Sequence, residues 1–349
     1  MTFDLGKLVR ANVRRMKPYS SARDDFQGKA SVYLDANENP FSHLFSRYPD
    51  PHQTELKAKI SALKGTQAAN LFIGNGSDEA IDLLIRAFCE PGRDNVVIPQ
   101  PTYGMYTVSA ETNAVEIRPV SLTSSFDLNA GAVLATCDSH TKLIFLCSPN
   151  NPSGNLLSTE AIERLLTGFP GLVVVDEAYI DFTGMPGWVP QLREYSNLVI
   201  LQTLSKAWGL AGLRVGLCLA SPAIIQVLNK IKPPYNINAA TQQLTLEALN
   251  YPENMMREVS ELRGEREKLA ASLQHLPGVN RVFPSDANFL LIQVPNARSV
   301  YERLISVGIV VRLRPALLLY GDCLRITVGT PEENQNVLRA LSEILSPSA

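Results

Sequence analysis

Between Leu71 and Ser221, short apolar runs rich in β-branched residues alternate with segments of helical spacing. Several runs, such as Leu172-Val173-Val174-Val175, lack the alternation of a half-exposed strand. A strand of that kind is buried on both faces, which requires a mostly parallel sheet with helices on either side. The runs predict strands over 71–73, 95–98, 115–119, 142–147, 172–175, 198–202 and 214–220. Between them, apolar residues recur at three and four positions, as in Ala80, Ile81, Leu84, Ile85 and Phe88. That is a helix with one covered face. The link from the sixth run to the seventh holds Gly209 and Gly212, and is about as short as the dozen residues that a parallel crossover needs at minimum. The seventh strand is therefore expected to run antiparallel, giving an α/β fold around a mixed seven-stranded sheet.

After Pro233-Pro234 the pattern changes. A long helix is expected over 253–275, then strand 288–294, helix 297–307, strands 309–313 and 323–328, and a final helix from Pro331, where Glu332 and Glu333 suit a helix start. This predicts a smaller α+β domain. The expected boundaries are an N-terminal arm at 1–33, a large domain at 34–250 and the small domain at 251–349. Within the arm, residues 3–17 read as a docking helix with Leu5, Leu8, Val9 and Val13 as its apolar stripe. Asp4 and the absence of serine from the stretch before Ser20 argue against a transit peptide.

Composition narrows the function classes. With 349 residues, 45% of them hydrophobic, the chain can build a real core. A net charge of −2 offers no electrostatic footprint for nucleic acid or an anionic membrane, and no apolar run reaches the roughly 18 residues of a membrane span. The cysteines (Cys89, Cys137, Cys147, Cys218 and Cys323) include no C-x-x-C, and reduced thiols in a cytoplasmic protein are expected. The four scattered histidines show no metal-ligand spacing, so no metal site is expected.

Four segments can carry chemistry. Gly74-Asn75-Gly76-Ser77-Asp78-Glu79 ends a strand and opens a helix, so backbone N–H groups there can hold a phosphate. A dinucleotide fingerprint would need a third glycine where Glu79 stands, and an acid ending the next strand, whereas Asp94 precedes it. Cys147-Ser148-Pro149-Asn150-Asn151-Pro152 follows an apolar strand, at the edge where open α/β sheets bind ligands; the same residues also suit an ordinary turn. Val175-Asp176-Glu177-Ala178-Tyr179 ends a strand in a carboxylate that can keep a ring nitrogen protonated, or simply cap a helix. Glu177 and Asp181 read as solvated carboxylates. Finally, Ser205-Lys206 precedes Arg214 by two glycines. An amine with a lowered pKa can form an imine with an aldehyde cofactor; the competing assignment is a surface lysine at a helix start.

In this order, the segments resemble the pyridoxal-phosphate aminotransferases of the aspartate-aminotransferase fold, and within them the branch that acts on histidinol phosphate. The resemblance spans nearly the whole chain. It includes Lys17-Pro18-Tyr19, Leu34-Asp35-Ala36-Asn37-Glu38-Asn39-Pro40, Arg47-Tyr48-Pro49-Asp50, Pro101-Thr102-Tyr103-Gly104-Met105-Tyr106 and Leu324-Arg325-Ile326-Thr327-Val328-Gly329. It departs at Asp35, where the family often carries Asn.

The resemblance implies a fold type I transferase with pyridoxal 5'-phosphate as cofactor. Lys206 would form the imine link and move the proton between Cα and C4′. Asp176 would pair with the ring nitrogen, Tyr179 and Asn151 would contact the ring oxygen, and Tyr103 would stack on the ring. The amides of Ser77 and Asp78, with Ser205 and Arg214, would hold the phosphate. Tyr48 would reach that phosphate from a second copy, implying a homodimer, with the arm packing on the small domain and the partner. Tyr19, Asn37, Arg312 and Arg325 would line the substrate pocket, where an arginine fork suits either a phosphate or a carboxylate. The expected substrates are histidinol phosphate and glutamate with their keto partners, imidazole-acetol phosphate and 2-oxoglutarate, in histidine biosynthesis. Rivals are an aromatic amino-acid aminotransferase, which needs an apolar side-chain pocket, a threonine-phosphate-type decarboxylase, and a regulator on the same fold, which needs a DNA-binding helix-turn-helix upstream.

Overall fold

The computed structural model describes residues 3–20, 31–41 and 43–346. Seven strands form the main sheet: β1 (Leu71–Asn75), β2 (Asn95–Gln100), β3 (Glu116–Ser121), β4 (Thr141–Cys147), β5 (Leu172–Asp176), β6 (Leu198–Thr203) and β7 (Val215–Ala220). Their order is β1-β7-β6-β5-β4-β2-β3, and every expected strand is present. Strands β2 to β6 pair in parallel, while β7 runs antiparallel to both β6 and β1, as the short Gly209–Gly212 link requires.

The continuous apolar runs are explained by the two faces. Val173 and Val175 of β5 point into one cluster, while Leu172 and Val174 point into the other. Among the described residues, twelve α-helices accompany the sheets. The first pair, α1 (Leu5–Leu8) and α2 (Ala11–Arg15), lead into α3 (Thr54–Lys64), α4 (Ser77–Phe88), α5 (Met105–Thr112), α6 (Ala130–Thr136), α7 (Thr159–Gly168), α8 (Pro222–Ile231) and α9 (Ala239–Ala248). Helices α3, α6 and α7 cover one face; α4, α5 and α8 cover the other.

A second sheet, in the order β10-β11-β9-β8, is antiparallel throughout. Its strands are β8 (Arg281–Val282), β9 (Phe289–Gln293), β10 (Arg312–Arg314) and β11 (Cys323–Thr327). Helices α10 (Pro252–His275), α11 (Ala297–Ser306) and α12 (Pro331–Leu345) contribute to its core. The capping box of Thr330 and Glu333 fixes the start of α12. The short β8 had no counterpart in the sequence pattern, and β10 begins and ends later than the expected 309–313.

The expected single arm helix is broken in two. Arg10 is extended and spends its donors elsewhere: its backbone N–H bonds the Ala87 carbonyl, and its guanidinium bonds the Glu90 carboxylate and the Arg86 carbonyl. Val9 and Val13 are buried in the cluster that holds α4, so the described residues 3–15 dock on the large sheet's layer and not on the small domain. Part of the 1–33 arm lies outside the described residues. All five cysteines are free, and all but Cys137 are buried. Among the described residues, no helix is long and apolar enough to cross a membrane.

Candidate active site

Topology decides what meets at the sheet's carboxyl edge. β1, β4, β5 and β6 end there, at Asn75, Cys147, Asp176 and Thr203. Because β7 is antiparallel, it begins there, so Arg214 arrives beside the end of β1. One cavity at this edge is lined by Gly76, Ser77, Asp78, Tyr103, Cys147, Asn151, Asp176, Ala178, Tyr179, Thr203, Ser205, Lys206 and Arg214. It gathers every expected cofactor residue except Tyr48.

The turn after β1 is built for close approach. Gly76 has φ +75° and donates its N–H to the Arg214 carbonyl at 2.7 Å, and a side chain on it would strike the Arg214 guanidinium. A Cβ on Gly216 would collide with the Ser77 amide and the Gly76 backbone. The first amides of α4 therefore face the cavity edge beside Arg214, at the positive end of the helix dipole. Arg214, itself left-handed at φ 55°, is anchored to Asp78 at 3.4 Å, and Asp78 also accepts a bond from the Tyr103 hydroxyl at 3.1 Å.

Asp176 is almost wholly buried at the end of β5. It caps no helix; its carboxylate accepts the Ala178 N–H at 3.1 Å and the Tyr106 hydroxyl at 2.7 Å. Burial pushes it up to about 6, and the two donated bonds hold it below where burial alone would put it. Tyr106, on α5, is fully buried and stacks on Phe145. It lies in a segment that carried the resemblance, yet only Tyr103 was expected in the site. The signal was its three-residue spacing from Tyr103 across the start of a helix.

Lys206 lies in a bend after β6, not at a helix start. Burial lowers its pKa, and so do the Arg325 and Arg214 charges, which favours the neutral amine. Its Nζ stands 5.8 Å from the centre of the Tyr179 ring. Tyr179 is buried, packs edge-on against Phe289, and accepts a long 3.4 Å contact from the Asn151 amide. Burial pushes its hydroxyl pKa up. Neighbouring Asn150 holds the loops in place, accepting from Thr102 and donating to Ser153 and to the Pro101 carbonyl.

The Asn151 side-chain oxygen accepts from two guanidiniums: Arg325 Nη1 at 2.6 Å and Arg314 Nη2 at 3.2 Å. Since arginine only donates, the amide orientation is fixed, with its NH2 toward Tyr179. Arg314 was not expected in the site; its signal was the two-residue spacing in Arg312-Leu313-Arg314, which places it on the face of Arg312. Arg312 itself is exposed.

Other expected residues stand apart. Tyr19 is 70% exposed. Asn37 and Tyr48 line a different cavity with Arg47 and Pro49, and Tyr48 stacks on Tyr235 at 4.5 Å. Glu177, expected in solvent, is instead buried: it accepts from the Gln202 amide at 2.8 Å and the Trp188 N–H at 2.6 Å, and burial raises it to about 7. Asp181 is half-buried and paired with Lys64 at 3.2 Å.

The chain resembles proteins of known type along its length. The family model for aminotransferase class I and II matches residues 30–341. Histidinol-phosphate aminotransferase of Parabacteroides distasonis is 54% identical over 98% of this chain and 99% of its own. Among solved structures, histidinol-phosphate aminotransferase from Clostridium acetobutylicum superposes with TM-score 0.79 over 86% of this chain and 91% of that one, at 24% identity. The Sinorhizobium meliloti enzyme, solved with pyridoxal-5'-phosphate, gives TM-score 0.78 over 86% and 83%, also at 24%. These likenesses give the same mixed-sheet fold, and with the family match and the near full-length relative they establish that the chain belongs to the class I and II aminotransferases.

Proposed function

We propose that the protein transfers an amino group between histidinol phosphate and 2-oxoglutarate, giving imidazole-acetol phosphate and glutamate, with pyridoxal 5'-phosphate as cofactor. The residues present fit that cofactor. A buried carboxylate waits at a strand end, a lysine of lowered pKa lines the same cavity, and free helix-start amides stand beside Arg214. When bound, the cofactor supplies an electron sink for charge developing at the substrate's α-carbon. Asp176 would keep a proton on the ring nitrogen through its negative charge. Tyr179 and the Asn151 amide would contact the ring oxygen, and Tyr103 would stack on the ring. Ser77, Asp78, Ser205 and Arg214 would hold the phosphate. Lys206 would hold the cofactor, and its amine, once freed by the substrate, would move the proton at the substrate's α-carbon.

The observation that carries the substrate is the charge beside this cavity. Arg325 and Arg314 reach Asn151, Arg312 is near, and none of the three is ion-paired among the described residues. Such a surface favours an anionic substrate group over the apolar ring of an aromatic amino acid. Tyr19 and Asn37 complete the substrate pocket in this proposal. The active form is a cytoplasmic homodimer in which Tyr48, outside its own chain's cavity, serves the partner's phosphate site; sedimentation as a single 38.3 kDa chain would exclude it. Residues 34–250 form the cofactor domain and 251–349 the domain that brings in Arg312 and Arg325.

The test is direct. Cofactor-loaded protein is mixed separately with histidinol phosphate, glutamate and phenylalanine, and the bound cofactor's visible absorbance is followed. Fast changes are expected with the first two. A fast change with phenylalanine and none with histidinol phosphate overturns the assignment.

A further inference from the structure

The second sheet gathers three arginines on one face, and two of them reach Asn151 at the cavity. Arg312 is the register partner of Arg325 across the β10–β11 pair, so the two share a face. Arg314, two residues on along β10, shares that face too. Three guanidiniums are thus gathered within mutual electrostatic reach. Arg325 and Arg312 both depress the Arg314 pKa, to about 10, after the larger effect of its burial. No acidic side chain of the described residues is paired with any of the three. The Nε atoms of both Arg314 and Arg325 are buried and lack a hydrogen-bond partner. Clustered like charges with no paired carboxylate are costly, and an anion meeting their Nη ends beside Asn151 is the group that relieves that cost.

We infer that Arg314 determines substrate charge at this site: with Arg325 it forms a paired guanidinium seat that favours a dianionic phosphate monoester over a single carboxylate. The inference rests on the proposed function and adds a residue to it. Arg325 alone offers one fork, which a carboxylate can satisfy. A phosphate monoester carries about two charges and three oxygens near neutral pH, enough to engage both guanidiniums. Arg314 also holds the Asn151 oxygen together with Arg325, so the seat and the amide facing Tyr179 are built as one unit.

The test compares the cofactor-loaded wild type with Arg314→Gln and Arg314→Lys. For each, kcat/KM is measured separately for histidinol phosphate and for glutamate, and the affinity of inorganic phosphate is measured by calorimetry. Removing one charge-assisted contact is expected to lower kcat/KM for histidinol phosphate by about 10- to 100-fold. Glutamate should lose several-fold less, and phosphate affinity should fall alongside histidinol phosphate. Arg314→Lys, which keeps the charge but not the fork, should fall between. Equal losses for both amino donors, or unchanged phosphate affinity in Arg314→Gln, would overturn the inference. If the wild type ignores histidinol phosphate, the proposed function fails; phosphate affinity in the two variants still decides the role of Arg314.

Discussion

A buried carboxylate and a pair of half-buried guanidiniums flank the same cavity and are treated in opposite ways. Asp176 is satisfied within the chain, by the Tyr106 hydroxyl and the Ala178 amide. Arg325 and Arg314 share one acceptor, Asn151, and each keeps a buried donor without a partner. The carboxylate side is finished before any ligand arrives. The arginine side has no paired carboxylate among the described residues, so binding an anion there relieves an existing charge repulsion. A preformed cofactor cradle and a substrate seat that a ligand must complete suit an enzyme that keeps its cofactor and exchanges its substrates.

The largest test of this contrast is Lys206→Ala. Turnover should fall by at least about 10⁴-fold, because attachment and proton transfer are lost together. After borohydride reduction, mass spectrometry should find the cofactor covalently held in the wild type and absent from the variant. Full turnover in the variant would remove Lys206 from the chemistry.

Tyr106→Phe probes how complete the carboxylate side is. One hydrogen bond to a charged group is lost, an expected fall of about 10- to 100-fold in kcat/KM. That bond lowers the Asp176 pKa, so its removal raises it, and the acid limb of the pH profile should move to higher pH. A drop in rate with no movement of that limb would reduce Tyr106 to packing.

The smallest effect is expected at Glu177, a second buried carboxylate that lines no part of the cavity. Its folded pKa, about 7, lies above the usual 4.5, so the folded state holds the proton more tightly than the unfolded chain. Its contribution to stability is therefore full below about 4.5 and lost as pH rises to about 7. Chemical denaturation of the cofactor-free protein at pH 5 and pH 8 should show a smaller pH difference in Glu177→Gln than in the wild type. The same difference in both would rule out this carboxylate as the titrating group.

The cofactor side was legible in the sequence because its residues sit at strand ends. An apolar run followed by Asp176, or by Ser205-Lys206, marks both the strand and the edge where ligands bind. The direction of β7 was legible from a link too short for a crossover helix. Local signals misled where packing overrode them. Residues 3–17 have helical spacing, but Arg10 gains more from Ala87, Arg86 and Glu90 than from helix continuity. Glu177 lies in a sequence that suits a solvated turn, yet the fold surrounds it with Gln202 and Trp188. β10 was begun three residues early and ended one early in part because its polar, arginine-rich end lacks an apolar pattern, and Arg314 was lost with that boundary.

The sequence by itself determined the seven main strands, the antiparallel seventh and the strand ends that line the cavity, since each follows from patterning within a few neighbouring positions. Only the tertiary structure decided which distant side chains complete them. Tyr106 meets Asp176 across 70 residues, and Arg314 and Arg325 meet Asn151 across 163 and 174. No local periodicity encodes such pairs: they form when a helix start and a second sheet are brought to the edge where β4 and β5 end. That is why the strand-end chemistry could be read along the chain, whereas the place of Arg314 beside Arg325 emerged only from the fold.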